Sequence, residues 1–375
     1  MTMYRLPLSG IRVLDLTTGW AGPYAGRLLG DMGAEVVKIE SARAPDVTRS
    51  LGPDVLRGYN RSIWFNRLNR NKLGCALDLS HPRGRELFLR LVTLSDAVIE
   101  DRRVGTRDDT GLSYEALRQA RPNVILVSIP AHGSEEPEAD DTGGACAATG
   151  VSAAAALCGA LLYRRRTGRG RWVKVTESES LTGLIGGPPL PANRHHSMAP
   201  HGCYPCAGAP EAGWLAVAVA SDAEFAALCR VMGRPELAAD FRFADVVSRH
   251  HHQDELDETI SAWARGRTPQ EAALALQEAG VAASSVTSAA GLTGDPHLRE
   301  RGFFERTAHA EAGVSEMGGV PWRLSLTPAH VRLAAPCFAE HNDYVYRHLL
   351  GLSAEEVAEQ ERQGITGRAP DAAAS

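Results

Sequence analysis

The chain has 375 residues, 44% of them hydrophobic and 23% charged, a composition that is typical of globular proteins and excludes a disordered or membrane-embedded chain. Its 40 basic and 45 acidic residues give a formal net charge of −5, so no overall basic field calls for nucleic acid, and the length favours two domains. The N-terminus lacks the basic and apolar regions of a leader, and seven cysteines in a chain of this size do not indicate a disulfide scaffold, so we predict a cytoplasmic protein.

The first predicted elements form a strand–helix–strand unit over residues 8–40. Apolar runs at its two ends predict strands, and residues 24–32 between them show helical periodicity. Strands connected in this way lie parallel with a right-handed crossover. The turn after the first strand contains Gly19 and Gly22 but lacks the third glycine of a dinucleotide fingerprint, so we favour a packing turn over a phosphate site.

The alternation of strands and helices continues downstream. Strands are predicted at residues 75–79, 96–100, 124–129 and 172–175, and helices at residues 81–94, 113–120 and 146–166. Strands that alternate with helices at this pitch build a doubly wound parallel sheet, so the predicted fold class is α/β. The apolar run of residues 151–162 stops at three arginines and is too short to span a bilayer, so we predict no membrane association.

Six groups of motifs along the chain occur in the order that one known family shows. They are residues 8–16 with 21–23 and 33–40, 69–72 with 77–79, 111–117, 167–170, 295–304 and 319–325. Each motif is weak alone, but the ordered set resembles the family III CoA-transferases. That family includes formyl-CoA and carnitine CoA-transferases and α-methylacyl-CoA racemase.

The resemblance implies an architecture that composition does not reveal. It implies a large Rossmann-like domain from both chain ends, residues 1–190 and 320–375, a linker at residues 191–210 and a smaller central α+β domain at residues 211–319. It also implies an interlocked homodimer, in which each chain forms a ring threaded by the other. The active site would then lie between the large domain of one chain and the small domain of its partner.

The resemblance also assigns the chemistry to the start of the helix that precedes Thr167. In the CoA-transferases an aspartate there attacks the thioester, forms a mixed anhydride and then carries CoA; in the racemases it is an acid/base partner of a histidine. Counting back from Thr167 through an ungapped helix places Cys146 at this position. A thiol in a first helical turn can be a nucleophile, because the helix dipole favours thiolate, or a buried spacer. In the second case Asp140 or Asp141 would supply the carboxylate.

Two further groups contain candidate residues. His132 follows a predicted strand, at the carboxyl end where parallel sheets place ligands, and is either a base for Cys146 or an ordinary loop histidine. Cys203 and Cys206, with His195 nearby, suggest zinc. A structural zinc site needs four spaced ligands and only one thiol pair is present here, so we predict no metal site.

The residues expected to bind CoA follow from the resemblance, motif by motif. They are Trp20, Ala21, Arg43, Asn71, Lys72 and Arg102. Two positions depart from the family, since Ser41 stands where a basic residue is usual and Asp109 where an arginine is expected. Replacing a phosphate-binding arginine by aspartate inverts a charge and removes a charge-assisted bond of about 1–3 kcal/mol.

Together these observations predict an enzyme of specialised metabolism that acts on an acyl thioester, with acyl or CoA transfer at Cys146. We expect no tightly bound cofactor; coenzyme A or the phosphopantetheine arm of an acyl carrier protein would deliver the acyl group as substrate. Two alternatives stay open. One is an acid/base racemase, isomerase or lyase that uses His132 and a loop carboxylate such as Asp141, and the other is an inactive homologue with a binding or scaffolding role.

Overall fold

The computed structural model describes residues 5–101, 112–130, 143–185, 197–207 and 213–371. The chain divides into two compact units, residues 1–186 with 303–375 and residues 187–302. Each unit has its own sheet and its own apolar core.

The described residues contain both strands and helices throughout. The strands are β1 Arg12–Asp15, β2 Glu35–Glu40, β3 Lys72–Ala76, β4 Ala97–Glu100, β5 Ile125–Ser128, β6 Trp172–Lys174, β7 His201–Pro205, β8 Trp214–Ala218, β9 Ala282–Val286, β10 Phe304–His309 and β11 Gly313–Gly318. The helices are α1 Ala21–Asp31, α2 Ile63–Leu68, α3 Pro82–Thr93, α4 Tyr114–Ala120, α5 Gly143–Thr167, α6 Glu177–Ile185, α7 Asp222–Val231, α8 Val246–His251, α9 Gln253–Ala264, α10 Pro269–Glu278, α11 Ala289–Leu292, α12 Pro296–Glu300 and α13 Ala354–Arg362.

The first unit is built on a six-stranded parallel sheet with the strand order β3-β2-β1-β4-β5-β6. Leu14 in β1 pairs with Val37 in β2 on one side and with Val98 in β4 on the other. In this order the chain leaves the central strands in opposite directions, as in doubly wound sheets. The predicted α/β fold with a parallel sheet is therefore confirmed.

Apolar side chains cover both faces of this sheet, because successive residues of a strand point to opposite faces. Leu14 packs in a cluster that includes Leu87 from α3. Its neighbour Val13 packs in a second cluster with Leu28 from α1 and Leu157 from α5. Helices therefore lie on both sides, and the loops that could bind a ligand lie at the edge where the strands end.

A segment from the far end of the chain covers the outer edge of β3. His341 Nδ1 accepts a hydrogen bond from the backbone N–H of Gly74 at 3.1 Å, and Asn342 Oδ1 accepts one from Ala76 at 2.8 Å. The hydroxyl of Tyr346 donates to the Ala76 carbonyl oxygen at 2.5 Å. An edge strand with open amides can pair with another chain, so these contacts close the sheet on this side.

The hairpin of β10 and β11 belongs to the first unit, although the family resemblance assigns residues 303–319 to the small domain. Glu311, in the turn of the hairpin, accepts a hydrogen bond from Asn60 Nδ2 at 2.6 Å. Arg70 donates to the carbonyl oxygen of Gly318. Because these polar contacts hold the hairpin to the first unit, the boundary lies at residue 303 rather than at residue 320.

The second unit contains the antiparallel sheet β7-β8-β9 and the helices between α7 and α12. Its core includes Phe225 from α7, Leu256 from α9 and Leu276 from α10. Arg249 is buried here, and its guanidinium donates to the carbonyl oxygen of Ala199 at 2.8 Å and forms an ion pair with Asp222. This unit contains both helices and strands, as an α+β domain does.

Helix α5 is longer and more apolar than the sequence pattern indicates. Its segment Cys146–Thr167 is long and apolar enough to cross a membrane by length and composition alone, so the prediction that the run is too short is wrong. The reason is that the alanine-rich turns before residue 151 extend the apolar stretch. However, Ala153, Leu157 and Ala160 on this helix pack in the core beside the sheet, and core helices pass the same test.

Candidate active site

Cys146 and Glu177 form a hydrogen-bonded pair at the starts of two helices. Cys146 is the fourth residue of α5, and its side chain is buried, with 6% exposure. Glu177 is the first residue of α6 and is half-buried. The Cys146 thiol donates to Glu177 Oε1 across an Sγ–O distance of 3.0 Å.

The parallel topology explains why these two helix starts meet. Helix α5 begins after the carboxyl end of β5 and crosses over to β6, which lies parallel to β5, so α6 begins at the same edge of the sheet. Polar side chains connect β4, β5 and β6 near this edge. Trp172 Nε1 donates to Ser128 Oγ at 2.8 Å, and Ser128 Oγ donates to Glu100 Oε1 at 2.8 Å.

Both residues of the pair lie where a helix favours negative charge. The first turn of a helix has unpaired N–H groups and the positive end of the helix dipole. Thr176 caps α6, because its Oγ1 accepts a hydrogen bond from the Glu179 N–H at 3.3 Å. The arrangement can therefore hold a carboxylate next to a thiol, in a place that also favours an oxyanion.

The turn after β1 lies at the point where the strand order reverses, and its amides are bonded to the chain's own carboxylates. The N–H of Thr17 donates to Asp15 at 3.0 Å, that of Thr18 to Asp101 at 2.5 Å and that of Gly19 to Asp46 at 3.2 Å. Ligands of doubly wound proteins often bind at such a reversal point. Here these three amides already donate to carboxylates of the chain itself.

Asp101 combines this contact with an unusual electrostatic environment. It follows β4 directly and is half-buried. Burial raises the pKa of its carboxyl to about 7, although the hydrogen bond from Thr18 N–H and the Lys38 ammonium act in the opposite direction. Its protonation state therefore changes near neutral pH.

Two of the residues predicted to bind CoA are instead occupied within the fold. Lys72 is fully buried, and its ammonium donates to Asp15 at 2.7 Å, to the Pro23 carbonyl oxygen at 2.8 Å and to Asn69 at 2.7 Å. Those bonds use all three donors of a lysine. Lys72 therefore has no ammonium N–H left for the predicted contact with a nucleotide.

Asn71 is held in the same way. It has a φ of 59° and is buried; its amide donates to Asp31 at 2.7 Å and to the His330 carbonyl oxygen at 3.1 Å. Its Oδ1 accepts from the N–H groups of Arg332 at 2.7 Å and Leu333 at 2.9 Å. Asn71 thus joins the N-terminal and C-terminal parts of the first unit. Its side-chain NH2 and Oδ1 are both used in these bonds, so neither is left for the predicted contact with CoA.

Three other predicted CoA-binding residues remain accessible or half-buried. Trp20 precedes α1 and packs on Trp64 with ring centroids 5.1 Å apart, and Ala21 is the first residue of α1. The side chain of Arg43 is 67% exposed and lies 3.7 Å from an Asp78 carboxylate oxygen. An exposed guanidinium with a distant partner can turn to a phosphate at little cost.

Several predicted residues lie outside the part of the chain that the structure describes. They are Arg102, Asp109, His132, Asp140, Asp141 and His195. Within the described ranges no group of three or more His, Cys, Asp or Glu side chains could hold a metal ion. Cys203 is exposed and Cys206 is buried, and both are free thiols.

Sequence reasoning did not find Glu177. No motif marks it, and it lies 31 residues from Cys146 along the chain. The one available signal was positional. An acidic residue that comes shortly after a parallel strand lies at the edge of the sheet where the preceding crossover helix begins.

The fold and this pair define a doubly wound α/β protein that carries a thiol and a carboxylate at the carboxyl edge of its sheet. The chain matches the model of CoA-transferase family III over residues 8–146 and 142–342, and it belongs to that family. The two matched segments meet at the start of α5. The predicted family is therefore confirmed, and the protein is by family a transferase.

Curated relatives and solved structures agree with this assignment. A succinyl-CoA–D-citramalate CoA-transferase from Chloroflexus aurantiacus is 32% identical over 94% of this chain and 96% of its own. A succinate–glutarate CoA-transferase from Agrobacterium fabrum is 31% identical over 92% of this chain and 96% of its own. A CAIB/BAIF family protein from Brucella suis has a TM-score of 0.80 at 27% identity, over 92% of this chain and 100% of that one.

Proposed function

We propose that this protein moves CoA from an acyl-CoA to the carboxylate of a second acid, with the starts of α5 and α6 as the reaction site. The observation that carries the proposal is the Cys146–Glu177 pair, whose Sγ–O distance is 3.0 Å, at the helix start to which the family resemblance assigns the chemistry. Family membership over nearly the whole chain supports the reaction class.

The names of the relatives suggest the substrates. They act on succinyl-CoA or succinate together with citramalate or glutarate, and further relatives with malate or mesaconate. We therefore propose succinyl-CoA as the donor and a short dicarboxylic acid as the acceptor. CoA itself rather than a carrier protein delivers the acyl group, and Arg43, whose side chain is 67% exposed, meets one of its phosphates.

We also propose that the working enzyme is a homodimer. Helix α5 exposes apolar side chains at helical spacing, with Val151 48% and Leu162 51% exposed. Gly159 lies between them, and a Cβ there would meet nothing within 4 Å. Residues eleven positions apart lie on the same face of a helix, and we propose that a second copy covers this face. Sedimentation should give twice the chain mass, and a Val151→Lys/Leu162→Lys variant should sediment as a monomer if a second copy covers this face.

The test of function is an exchange assay. The purified protein is incubated with succinyl-CoA and, one at a time, with malate, citramalate, glutarate and mesaconate. New CoA esters are separated by chromatography and identified by mass spectrometry. We expect a new ester with at least one acid and an equal amount of free succinate. Hydrolysis alone, or no new ester with any acid, would contradict the proposal. Deuterium uptake at the α-carbon without exchange would favour the acid/base alternative instead.

A second candidate function has one observation in its favour. The carboxylate of Glu177 is close enough to accept the thiol proton of Cys146, so the sulfur could attack a thioester and keep the acyl group. The product would be an acyl-enzyme that passes its acyl group to an acceptor, with CoA released. Intact-mass analysis after incubation with succinyl-CoA alone would show a succinyl adduct that disappears in Cys146→Ala.

A further inference from the structure

The pair at the starts of α5 and α6 contains two possible nucleophiles, and their exposure differs. Cys146 is 6% exposed, whereas Glu177 is half-buried and thus more open to solvent. Glu177 is also the first residue of its helix, where unpaired N–H groups favour an anion. A substrate that approaches from solvent therefore meets the carboxylate before the sulfur.

The hydrogen bond of the pair also favours the carboxylate as the attacking group. The Cys146 thiol is the donor and Glu177 Oε1 is the acceptor, across an Sγ–O distance of 3.0 Å. A carboxylate has two oxygens, so the second oxygen of Glu177 keeps its lone pairs available while Oε1 accepts from the thiol.

From this geometry we propose that Glu177 is the residue that takes first the acyl group and then CoA, with Cys146 as the hydrogen-bond donor that holds its carboxylate. The inference rests on the proposed CoA transfer. It places the covalent chemistry on α6 rather than on α5, and it gives Cys146 a positioning role.

The chemistry of CoA transfer supports a carboxylate over a thiol. When a thiolate attacks an acyl-CoA, the acyl group stays on sulfur and CoA leaves, so the enzyme cannot retain CoA. A side-chain carboxylate can retain it, because its own carbonyl carbon can form a thioester with CoA. An enzyme that keeps CoA covalently bound between donor and acceptor therefore needs such a carbonyl group.

The steps balance as follows. A Glu177 carboxylate oxygen attacks the thioester carbonyl; a C–O bond forms, the C–S bond breaks, and CoA leaves as a thiolate. That thiolate attacks Cδ of Glu177 in the mixed anhydride, so a C–S bond forms, a C–O bond breaks, and the first acid leaves as its carboxylate. The acceptor carboxylate then attacks Cδ and releases the CoA thiolate, which attacks the acceptor carbonyl of the new anhydride and returns Glu177 to its starting state.

Other described carboxylates near the strand ends are held by partners. Asp15 and Asp46 are fully buried in ion pairs with Lys72 and Lys38, each at 2.7 Å. Asp101 accepts the Thr18 N–H, and burial raises the pKa of its carboxyl to about 7, so part of it is protonated at neutral pH. These groups are tied to the fold in ways that Glu177 is not.

Helix α6 itself offers a matched control. Glu179 lies in the same first turn, is exposed, and accepts a hydrogen bond from Thr176 Oγ1 at 2.7 Å rather than from a thiol. Glu177→Gln and Glu179→Gln remove the same charge from the same helix terminus. A difference between them therefore reports the role of position 177 and not the loss of a charge.

The experiment is a single turnover followed by trapping. The full-length protein is mixed with succinyl-CoA and no acceptor, then treated with hydroxylamine or with borohydride, digested and analysed by mass spectrometry. A CoA thioester on Glu177 becomes a hydroxamate or an alcohol at that residue. We expect this label at Glu177 in the wild type, no label in Glu177→Gln, and an unchanged label in Glu179→Gln.

Exchange rates give an independent measurement. Glu177→Gln should lose exchange by about 100-fold or more, as expected when a covalent group is removed, and Glu179→Gln by less than about 2-fold. Cys146→Ala should keep the Glu177 label, with a rate about 10-fold lower because the carboxylate loses its hydrogen-bond donor. Circular dichroism and a thermal melt confirm that each variant is folded, and the wild-type label needs no variant at all.

The outcomes separate this inference from the proposed function. Exchange that proceeds while the trapped label is absent from Glu177 overturns the inference and leaves CoA transfer standing. A stable succinyl group on Cys146 overturns it in favour of acyl transfer. A label on Glu177 with no exchange to any of the four acids supports the inference and contradicts the choice of acceptor, whereas no label and no exchange contradict both.

Discussion

The parallel sheet of the first unit is stabilised differently at its two lateral ends, around β1 to β3 and around β5 and β6. On the side of β1, β2 and β3 the interior contains four ion pairs between nearly unexposed side chains: Asp15–Lys72, Lys38–Asp46, Asp31–Arg70 and Glu40–Arg49. On the side of β5 and β6, small apolar side chains of α5 pack on the sheet, and the same helix leaves Val151 and Leu162 exposed. Around β1 to β3 these buried charges are paired with each other within the fold. Around β5 and β6 lie the candidate site and exposed apolar side chains.

This difference indicates at which end of the sheet side chains can be substituted without loss of the fold. A buried ion pair adds little net stability but becomes costly when one partner is lost, since the other charge remains buried. Exposed or half-buried positions carry no such penalty. We therefore expect large stability effects near β1 to β3, and effects on reaction or assembly near α5 and α6.

The largest effect should follow removal of one buried charge. Lys72→Met leaves the Asp15 carboxylate buried without its 2.7 Å partner, so the free energy of unfolding should fall by about 3–5 kcal/mol. Urea denaturation measures this change. The double variant Asp15→Asn/Lys72→Met should recover part of the loss, and a loss below about 1 kcal/mol in the single variant would contradict the role given to Lys72.

A smaller loss is expected where α5 meets α1. A Cβ at Gly150 would lie 2.8 Å from the Ala21 carbonyl oxygen and 2.8 Å from Tyr24 Cδ1, so Gly150→Ala should cost about 1–3 kcal/mol through overpacking. Gly183→Ala in α6 is the control, because its Cβ would meet nothing within 4 Å and Gly183 lies outside the face proposed for the dimer. Thermal melts of both variants test this contrast, which equal melting temperatures would refute.

Asp101 should make stability depend on pH. The folded-state pKa of about 7 lies above the ordinary value of 3.8 for an aspartate, so the folded chain binds more protons than the unfolded chain between these values. Stability therefore falls as pH rises through that window. Asp101→Asn removes this penalty and keeps an acceptor for Thr18 N–H. We expect the variant to gain about 1–2 kcal/mol over wild type at pH 8, after allowance for solvent screening, and almost nothing at pH 4. An equal gain at both pH values would show that titration is not the cause.

The smallest stability effect is expected at Arg43. Its ion pair with Asp78 is exposed and 3.7 Å long, so Arg43→Ala should change the free energy of unfolding by less than about 0.5 kcal/mol. If Arg43 meets a phosphate of CoA, KM for succinyl-CoA should rise about 10-fold at unchanged kcat. Steady-state kinetics beside a denaturation curve separate the two effects, and an unchanged KM would remove Arg43 from the binding site.

The fold could be predicted from the sequence because its signals are local. The runs at residues 11–16 and 35–40 are strands of the length and spacing that parallel sheets need, and the turn at Gly19 lacks the phosphate fingerprint. These patterns depend on neighbours along the chain. The predicted elements therefore recur in the structure with ends shifted by at most three residues; the third strand, predicted at residues 75–79 and found at Lys72–Ala76, shifts by three at both ends.

The site could be predicted only in part, because it depends on burial and on distant contacts. Sequence matching placed Lys72 beside a nucleotide, but the structure gives all of its donors to the interior. Cys146 was found by counting along one helix, whereas its partner Glu177 lies on another helix and is brought close by the strand order. Such a contact follows from topology, which no motif encodes.

The side chains that shield the outer edge of β3 affect how the chain folds during synthesis. Asn342 and Tyr346 contact Ala76 from 266 and 270 residues further along the chain. At roughly 5–20 residues per second the ribosome needs on the order of 10–50 s to cover that distance, and during this time residues 187–302 emerge as a complete unit. During synthesis β3 is therefore an edge strand with unpaired amides until residues 341–346 have been made. Prematurely terminated products that end before residue 341 should aggregate and be cleared by chaperones and proteases.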